Sequence, residues 1–347
     1  MVDSLYPLLH KPHFPTQQVS YFMLVNYIRN NFTSMPSDNI PPGLYALVNS
    51  ENAFKSVKKS ERHDYELDLE LGYYYRNELI DFVSFGLSWM ILCEYYVKQS
   101  SQSRRDLSTV LKPDIPLLLG FIFEYIQTRS PTCMPNIEVN IKGFFPLFEE
   151  SVDQFVSDLY LLSLSTFPSL VREWWCTDCN RALTNYVEQY TTKYISPSLI
   201  RKEIQIILEF KHNYDNFNVT GNSQIREVHA FYEEDEVELE ISLHIPDSYP
   251  LRDIFVEPVK RIGVTESQWN QWILSIHTLL HTQDANILDA VLLWKNRMDK
   301  LFEGIECCLI CYSVFQASNN ALPRLACKTC KNKFHSACLC KWFNTSH

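Results

Sequence analysis

The stretch Glu236-Val-Glu-Leu-Glu-Ile-Ser-Leu-His244 alternates strictly. Val237, Leu239, Ile241 and Leu243 fall on one side, and Glu238, Glu240, Ser242 and His244 on the other. A strand turns successive side chains to opposite faces, so this pattern predicts a half-buried antiparallel strand with an apolar face on a core. Just upstream, Glu227-Val-His-Ala-Phe-Tyr232 is strand-like as well. Just downstream comes Ile245-Pro-Asp-Ser-Tyr-Pro-Leu-Arg-Asp-Ile-Phe-Val-Glu-Pro258, in which Pro250 fixes a turn and Tyr249 can plug beneath it. Helical spacing then returns over residues 267–281 and 286–302, and a helix ends near 204–210. Helix, antiparallel strands, turn and helices make an α+β domain.

Beyond it, Cys and His fall at metal-ligand spacing: Cys308-Leu-Ile-Cys311, fifteen residues, Cys327-Lys-Thr-Cys330, four residues, His335-Ser-Ala-Cys338. Two thiolates separated by two residues can grip one zinc ion from a tight turn, and two such pairs complete a tetrahedron. Six ligands in three pairs exceed one site and fall short of two. Cys307, Cys340 and His347 are stand-ins that lie outside any pair. The plainer reading, free thiols in a helical tail, is outweighed by three correctly spaced pairs in succession.

Upstream, residues 1–195 read as helix after helix. Residues 19–32 are amphipathic and 34–43 break the pattern. A helix from 44, a charged loop over 55–66 and the longest helix over 77–97 follow. Residues 99–105 read as a solvated connection. Pro113 and Pro116 open a helix to 127, which Pro131 and Pro135 end, and 145–164 and 169–190 complete the set. Such a succession predicts stacked helix pairs of the HEAT kind. Cys176 and Cys179 form another C-x2-C, but they lack a partner pair and a preceding strand. We read them as incidental on a helix, with Trp174 and Trp175 packing.

Composition bounds the function. With 347 residues, 46% hydrophobic and only 8 Gly, the chain suits two or three folded domains. Seven of its eleven Cys lie between Cys307 and Cys340, a clustering that fits zinc in a reducing compartment better than disulfides. Net charge is −10, yet residues 307–347 hold five basic residues and no acidic one, so the remainder carries about −15. An acidic body excludes broad nucleic-acid binding. No apolar run is long enough to span a bilayer, so no membrane partner is expected. Phosphate loops, nucleophile elbows and dinucleotide fingerprints are absent. His277 and His281, one turn apart without an H-E-x-x-H frame, read as surface residues.

The three pairs, with Ile310 inside the first and Trp342 four residues after Cys338, resemble a RING finger of the C4HC3 variety. PHD fingers share nearly the same spacing. Tyr249-Pro250 with Pro258 resembles the signature of the RWD domain, a relative of the ubiquitin-conjugating fold. The wider string from Cys308 through Ala326-Cys-Lys-Thr-Cys-Lys-Asn-Lys-Phe-His-Ser-Ala-Cys338 to Lys341-Trp-Phe343 is similar to the RING of the listerin family of ribosome-associated ubiquitin ligases.

The resemblance implies HEAT-like repeats over 1–195, an RWD domain over 200–303 and a RING zinc finger over 306–347 that lacks its last ligand pair. It implies Zn held by Cys308, Cys311, Cys327, Cys330, His335 and Cys338, with the first pair joined to the third. It also implies Ile310 and Trp342 docking a ubiquitin-conjugating enzyme. The activity implied is RING-type ubiquitin transfer to nascent chains stalled on the large ribosomal subunit, in the cytosol, alongside other ribosome quality control factors. Catalytic residues are none, since such a ligase works by positioning. No Cys lies between Pro258 and Glu306, so the RWD domain is expected to bind, not to catalyse. The family continues into a C-P-x-C pair, whereas this sequence stops at His347. One closed zinc site and weak transfer are therefore expected of these residues alone. The alternatives are a non-enzymatic PHD-like zinc interaction module, or an inactive truncated form that only binds the ribosome.

Overall fold

The computed structural model describes residues 5–11, 14–30, 71–129, 149–210, 214–234, 237–262, 264–303, 307–314, 316 and 322–345. The chain divides into two compact units, Met1–Ile195 and Ser196–His347. The helix expected from residue 44, the loop over 55–66 and the stops at Pro131 and Pro135 lie outside the described residues.

In the first unit a 3-10 turn, Tyr6–His10, precedes α1 (Phe14–Asn30) and α2 (Leu71–Val97). Then come α3 (Ser101–Leu111), α4 (Ile115–Arg129), α5 (Glu149–Thr166), α6 (Pro168–Thr177) and α7 (Arg181–Tyr190), which ends in a π turn, Thr191–Ile195. The α2 helix is the longest of those described, and residues 83–93 of it are buried on every side. A helix apolar all round belongs inside a helical layer, not on its surface. Gly86 shows how close the neighbours come: a Cβ there would lie 2.5 Å from the ring of Phe155 on α5. Ser84 on α2 donates to the Leu9 carbonyl at 2.7 Å and accepts from Gln17 Nε2 at 2.8 Å, which ties the first turn and α1 to α2. Edge-to-face rings, such as Phe123 on Tyr160 at 4.8 Å, fill the rest of this interior.

Two expectations are corrected here. Residues 99–105 are no open connection. Ser100 caps α3 by accepting the Ser103 N–H, and Leu107 and Leu111 bury its apolar side. Residues 169–190 form two helices, because Asn180 caps α7 by accepting from Leu183 N at 2.9 Å. Cys176 thus ends α6 while Cys179 sits in the break, so only one of them is on a helix. Both helices start where a polar side chain out-competes the preceding turn for the free N–H groups.

The second unit opens with α8 (Ser196–Glu209), followed by β1 (Phe217–Asn222), β2 (Glu227–Glu234), β3 (Val237–His244) and β4 (Phe255–Ile262). The sheet is an antiparallel meander in the order β1-β2-β3-β4. Pro258 pairs with Ile241 next to a register shift, a place that spares a residue lacking an N–H. Then come α9 (Glu266–Thr282), started by a Thr265–Gln268 capping box, and α10 (Ile287–Phe302), capped by Asn286. Ile204, Ile207, Trp269, Trp272, Trp294 and Met298 from the three helices meet Val228, Ala230, Tyr232, Leu239, Ile241 and Leu243 in one core.

The alternation thus faces the core as predicted, with one exception. Ser242 belongs to the outward row, yet it is 2% exposed. Its small side chain lies between the longer His229 and Glu257, its cross-strand partners. The Tyr249–Pro250 peptide is cis, and the Tyr249 hydroxyl donates to Glu203 at 3.3 Å. Glu203 also accepts the Ile287 N–H at 3.0 Å, at the start of α10. Burial pushes the Glu203 carboxyl above the ordinary range, and these two donors pull part of the way back.

Candidate metal centre

The last elements of the second unit are β5 (Leu325–Ala326), β6 (Lys333–Phe334) and α11 (Ser336–Thr345). Cys308-Leu-Ile-Cys311 folds into a tight turn closed on itself. The Tyr312 N–H reaches the Cys308 carbonyl at 2.7 Å, and the Cys308 N–H reaches the Ser313 carbonyl at 3.0 Å. Tyr312 takes a left-handed φ of 57° to complete it. The β5–β6 pairing and the start of α11 then bring His335 and Cys338 to this turn.

The result is a four-donor cluster. The ligand atoms of Cys308, Cys311, His335 and Cys338 all lie within 4.8 Å of one another. His335 Nδ1 stands 3.4 Å from Cys311 Sγ and 3.7 Å from Cys338 Sγ. Its other nitrogen, Nε2, lies 3.1 Å from the Val314 carbonyl. An N–H there fixes the ring with Nδ1 free to act as a ligand, the arrangement in which a backbone carbonyl orients a metal-bound imidazole. His335 is fully buried, and Val314 carries its side chain into the α+β core. Three thiols and one imidazole at these separations fit a soft or borderline ion in a closed tetrahedron.

The thiols are tuned unequally. Burial pushes the Cys308 thiol up, but the N–H groups of His335, Cys311 and Ile310 and the Cys311 thiol overcome it, leaving a value of about 6. Burial, followed by the Cys311 and Cys308 thiols, drives Cys338 up to about 11. Three thiols this close cannot all ionise without a cation between them, which is the demand a metal meets.

Cys327 and Cys330 form a second turn of the same design, and the N–H groups of Cys330 and Thr329, with the Cys330 thiol, lower Cys327 to about 7. Among the described residues no third Cys or His joins them. Cys307 and Cys340 are exposed and lie outside the four-donor cluster, and His347 is outside the described residues. Ile310 is half-buried in the first turn, while Trp342 on α11 is 56% exposed. Leu309, Tyr312 and Phe343 are exposed as well, and no periodic signal in so short a module marks them. His277 and His281 stack at the surface of α9 with Asp253 beside them, as expected of surface residues.

Residues 1–207 match the profile described as the LTN1 family HEAT repeat region, and residues 217–301 match one described as ubiquitin conjugating domain-like. Among curated proteins, the E3 ubiquitin-protein ligase listerin of Gallus gallus is 35% identical over 278 residues, covering 75% of this chain and 16% of that protein. The protein of the same name from Saccharomyces cerevisiae is 33% identical over 283 residues, covering 76% of the chain and 18% of that protein. The Drosophila melanogaster one is 38% identical over 195 residues, 56% of the chain and 11% of that protein. The chain therefore spans about a sixth of the length of the curated relatives it matches. No described helix is long and apolar enough to cross a membrane.

Proposed function

The chain belongs to the listerin family, and from that premise we propose that it carries the ligase end of a RING-type E3 ubiquitin transferase. In this reading residues 1–195 are the HEAT-like scaffold, 200–303 an RWD domain and 306–347 the RING. Zinc is held by Cys308, Cys311, His335 and Cys338, while Cys327 and Cys330 are ligands of a second ion. With four protein donors the first site is closed, so the ion supplies structure and no chemistry of its own.

Ubiquitin passes from the Cys thioester of a conjugating enzyme to a substrate Lys. The amine attacks the thioester carbonyl, an amide bond forms, the carbon–sulfur bond breaks and the thiol leaves. None of these groups belongs to this chain, so its contribution is positioning. Ile310 and Trp342 dock the conjugating enzyme. The substrates in this reading are nascent chains stalled on the large ribosomal subunit, in the cytosol with other quality control factors.

One observation carries the proposal. A single four-donor cluster joins the turn that presents Ile310 to the helix that presents Trp342, through Cys308 and Cys311 on one side and Cys338 on the other. A docking surface works only when its parts are held to a fraction of an ångström. The RWD segment adds no nucleophile, because no Cys lies between Pro258 and Glu306.

The test is discharge of ubiquitin-charged conjugating enzymes, taken as a panel, onto free lysine in the presence of the full chain. Ile310→Ala and Trp342→Ala should each lower the stimulated rate at least about tenfold, since such anchors dominate small interfaces, while metal content stays unchanged. Stimulation that survives both substitutions would sink the docking assignment.

A further inference from the structure

Helices α8, α9 and α10 all pack on one face of the sheet. The other face is partly open to solvent, with the side chains of His229 and Glu257 41% and 55% exposed. That outer face carries a continuous ladder of alternating carboxylates and imidazoles across three strands. Glu240 faces His229 Nδ1 at 3.5 Å, and His229 Nε2 faces Glu227 at 3.4 Å. Glu227 faces His244 Nδ1 at 3.1 Å, and His244 Nε2 faces Glu257 at 3.1 Å. Beneath the ladder, between His229 and Glu257 in the register, sits Ser242. Its hydroxyl is buried and without a hydrogen-bond partner.

We propose that this outer face is a docking site for a basic polypeptide segment, whose arginine or lysine heads lie among Glu227, Glu240 and Glu257. An imidazole that carries one N–H can donate to only one of two carboxylates. Each of these rings has a carboxylate oxygen at both nitrogens, so acceptor capacity is left over along the ladder. Guanidinium and ammonium groups are donors only, and arginine is the side chain best shaped to meet carboxylates in pairs. The unpartnered Ser242 hydroxyl marks the floor of the same site and can accept one further N–H. An apolar wall is present too: Phe255 is 64% exposed and stacks beside His244 at 6.0 Å. A guanidinium plane fits over such a ring.

The charge of the face decides the class of partner. Its outward rows hold Glu227, Glu233, Glu238, Glu240 and Glu257 against Lys260, which is already paired with Glu238. Phosphate-bearing partners are repelled by such a surface. The proposal goes beyond ubiquitin transfer, since it uses none of the metal-centre residues and stands or falls separately from it.

A fluorescent eight-residue arginine peptide, titrated into the full chain by anisotropy, tests it. Glu227→Gln, Glu240→Gln and Glu257→Gln combined should weaken binding at least about tenfold. Ser242→Ala alone should weaken it about tenfold, in line with loss of one hydrogen bond to a charged group. A control triple of the same charge change, Glu173→Gln, Glu209→Gln and Glu303→Gln, separates a built site from general attraction to an acidic protein. Equal loss in both triples, or none in the sheet triple, overturns the proposal. Circular dichroism melts of each triple show whether the sheet survives; if the sheet triple melts early, Ser242→Ala and Phe255→Ala carry the test, and wild-type binding by both overturns it.

Discussion

The two C-x2-C turns are the same object in different surroundings. In each, the N–H four residues on meets the carbonyl of the first Cys, at 2.7 Å for Tyr312 and 3.0 Å for Lys331. In each, the N–H of the first Cys meets the carbonyl five residues on, at 3.0 Å for Ser313 and 2.9 Å for Asn332. The residue after the second Cys is left-handed in both, with φ of 57° and 64°. There the likeness stops. Cys308 is fully buried and faces His335 and Cys338, whereas Cys327 is half-buried beside an exposed Cys330. Both turns are closed by hydrogen bonds within their own segment. What the turn then holds depends on which segments the rest of the chain brings to it.

Removing a ligand breaks the comparison most sharply. His335→Ala should cost the chain about one tightly held ion and unfold residues 307–345, because the binding free energy of a structural metal is folding free energy. Cys327→Ser should leave that ion in place. Elemental analysis of both variants decides it, and equal loss from the two would mean that the turns share one site.

The first turn is also anchored to the α+β core, through Val314 and the neighbouring Leu322. Val314→Ala removes two methyl groups from that junction and should cost roughly 1–2 kcal/mol. For a unit of this size that lowers the melting temperature by about 2–8 °C. Chelation should melt the tail and lower the transition of the remaining core by a similar few degrees. An unchanged core transition would show that Val314 rests on the core without supporting it.

Glycine at the two left-handed positions sharpens the likeness. Tyr312→Gly and Lys331→Gly should each change stability by about 1 kcal/mol or less, upward, since glycine removes the Cβ strain at positive φ. Paired chemical-denaturation curves test whether the turns respond alike, and a destabilising effect at Tyr312 alone would reveal packing around that turn.

The smallest effect concerns pH, and here tail and core should move in opposite directions. Glu203 has a raised pKa from burial, so the folded state holds its proton more tightly than the unfolded state. Stability from this group is present below the ordinary carboxylate range and is lost as pH rises from there through the raised value. Glu203→Gln should therefore flatten the acid side of the core's stability profile, with a net change of about 1 kcal/mol or less. The metal cluster behaves conversely, because acid protonates thiolates and releases the ion. Melting curves from pH 4 to 7, with and without a chelator, separate the two.

Much of this was open to reading from residue order. The alternation of residues 237–243 gave a strand with its core side correctly assigned, since a period of two leaves only one face apolar. Both helices that follow match their apolar spacing to within a residue at each end, and in the structure Thr265 and Asn286 cap them. Harder were β1, where Phe217-Asn-Val-Thr-Gly-Asn222 carries only two core residues and becomes a strand through its pairing with β2. The helix of residues 101–111 and the break at Asn180 depend on single capping side chains, which compete with longer apolar patterns nearby.

The zinc-type pairs show where residue order stops. Cys308–Cys311 and Cys327–Cys330 each close a turn through hydrogen bonds of their own segment, whereas Cys176 and Cys179, at the same spacing, straddle a helix end. Which pairs meet was implied by resemblance, and it is the fold that places His335 and Cys338 on the first turn and gives the imidazole the Val314 carbonyl. Nothing local marks that carbonyl, since every residue has one. In the same way, Ser242 sits in the polar row of an alternating strand and becomes buried only because its two cross-strand neighbours are long. Periodicity is a property of one segment. Burial, ligand grouping and hydrogen-bond partners are properties of several segments packed together, and they exist only once those segments have met.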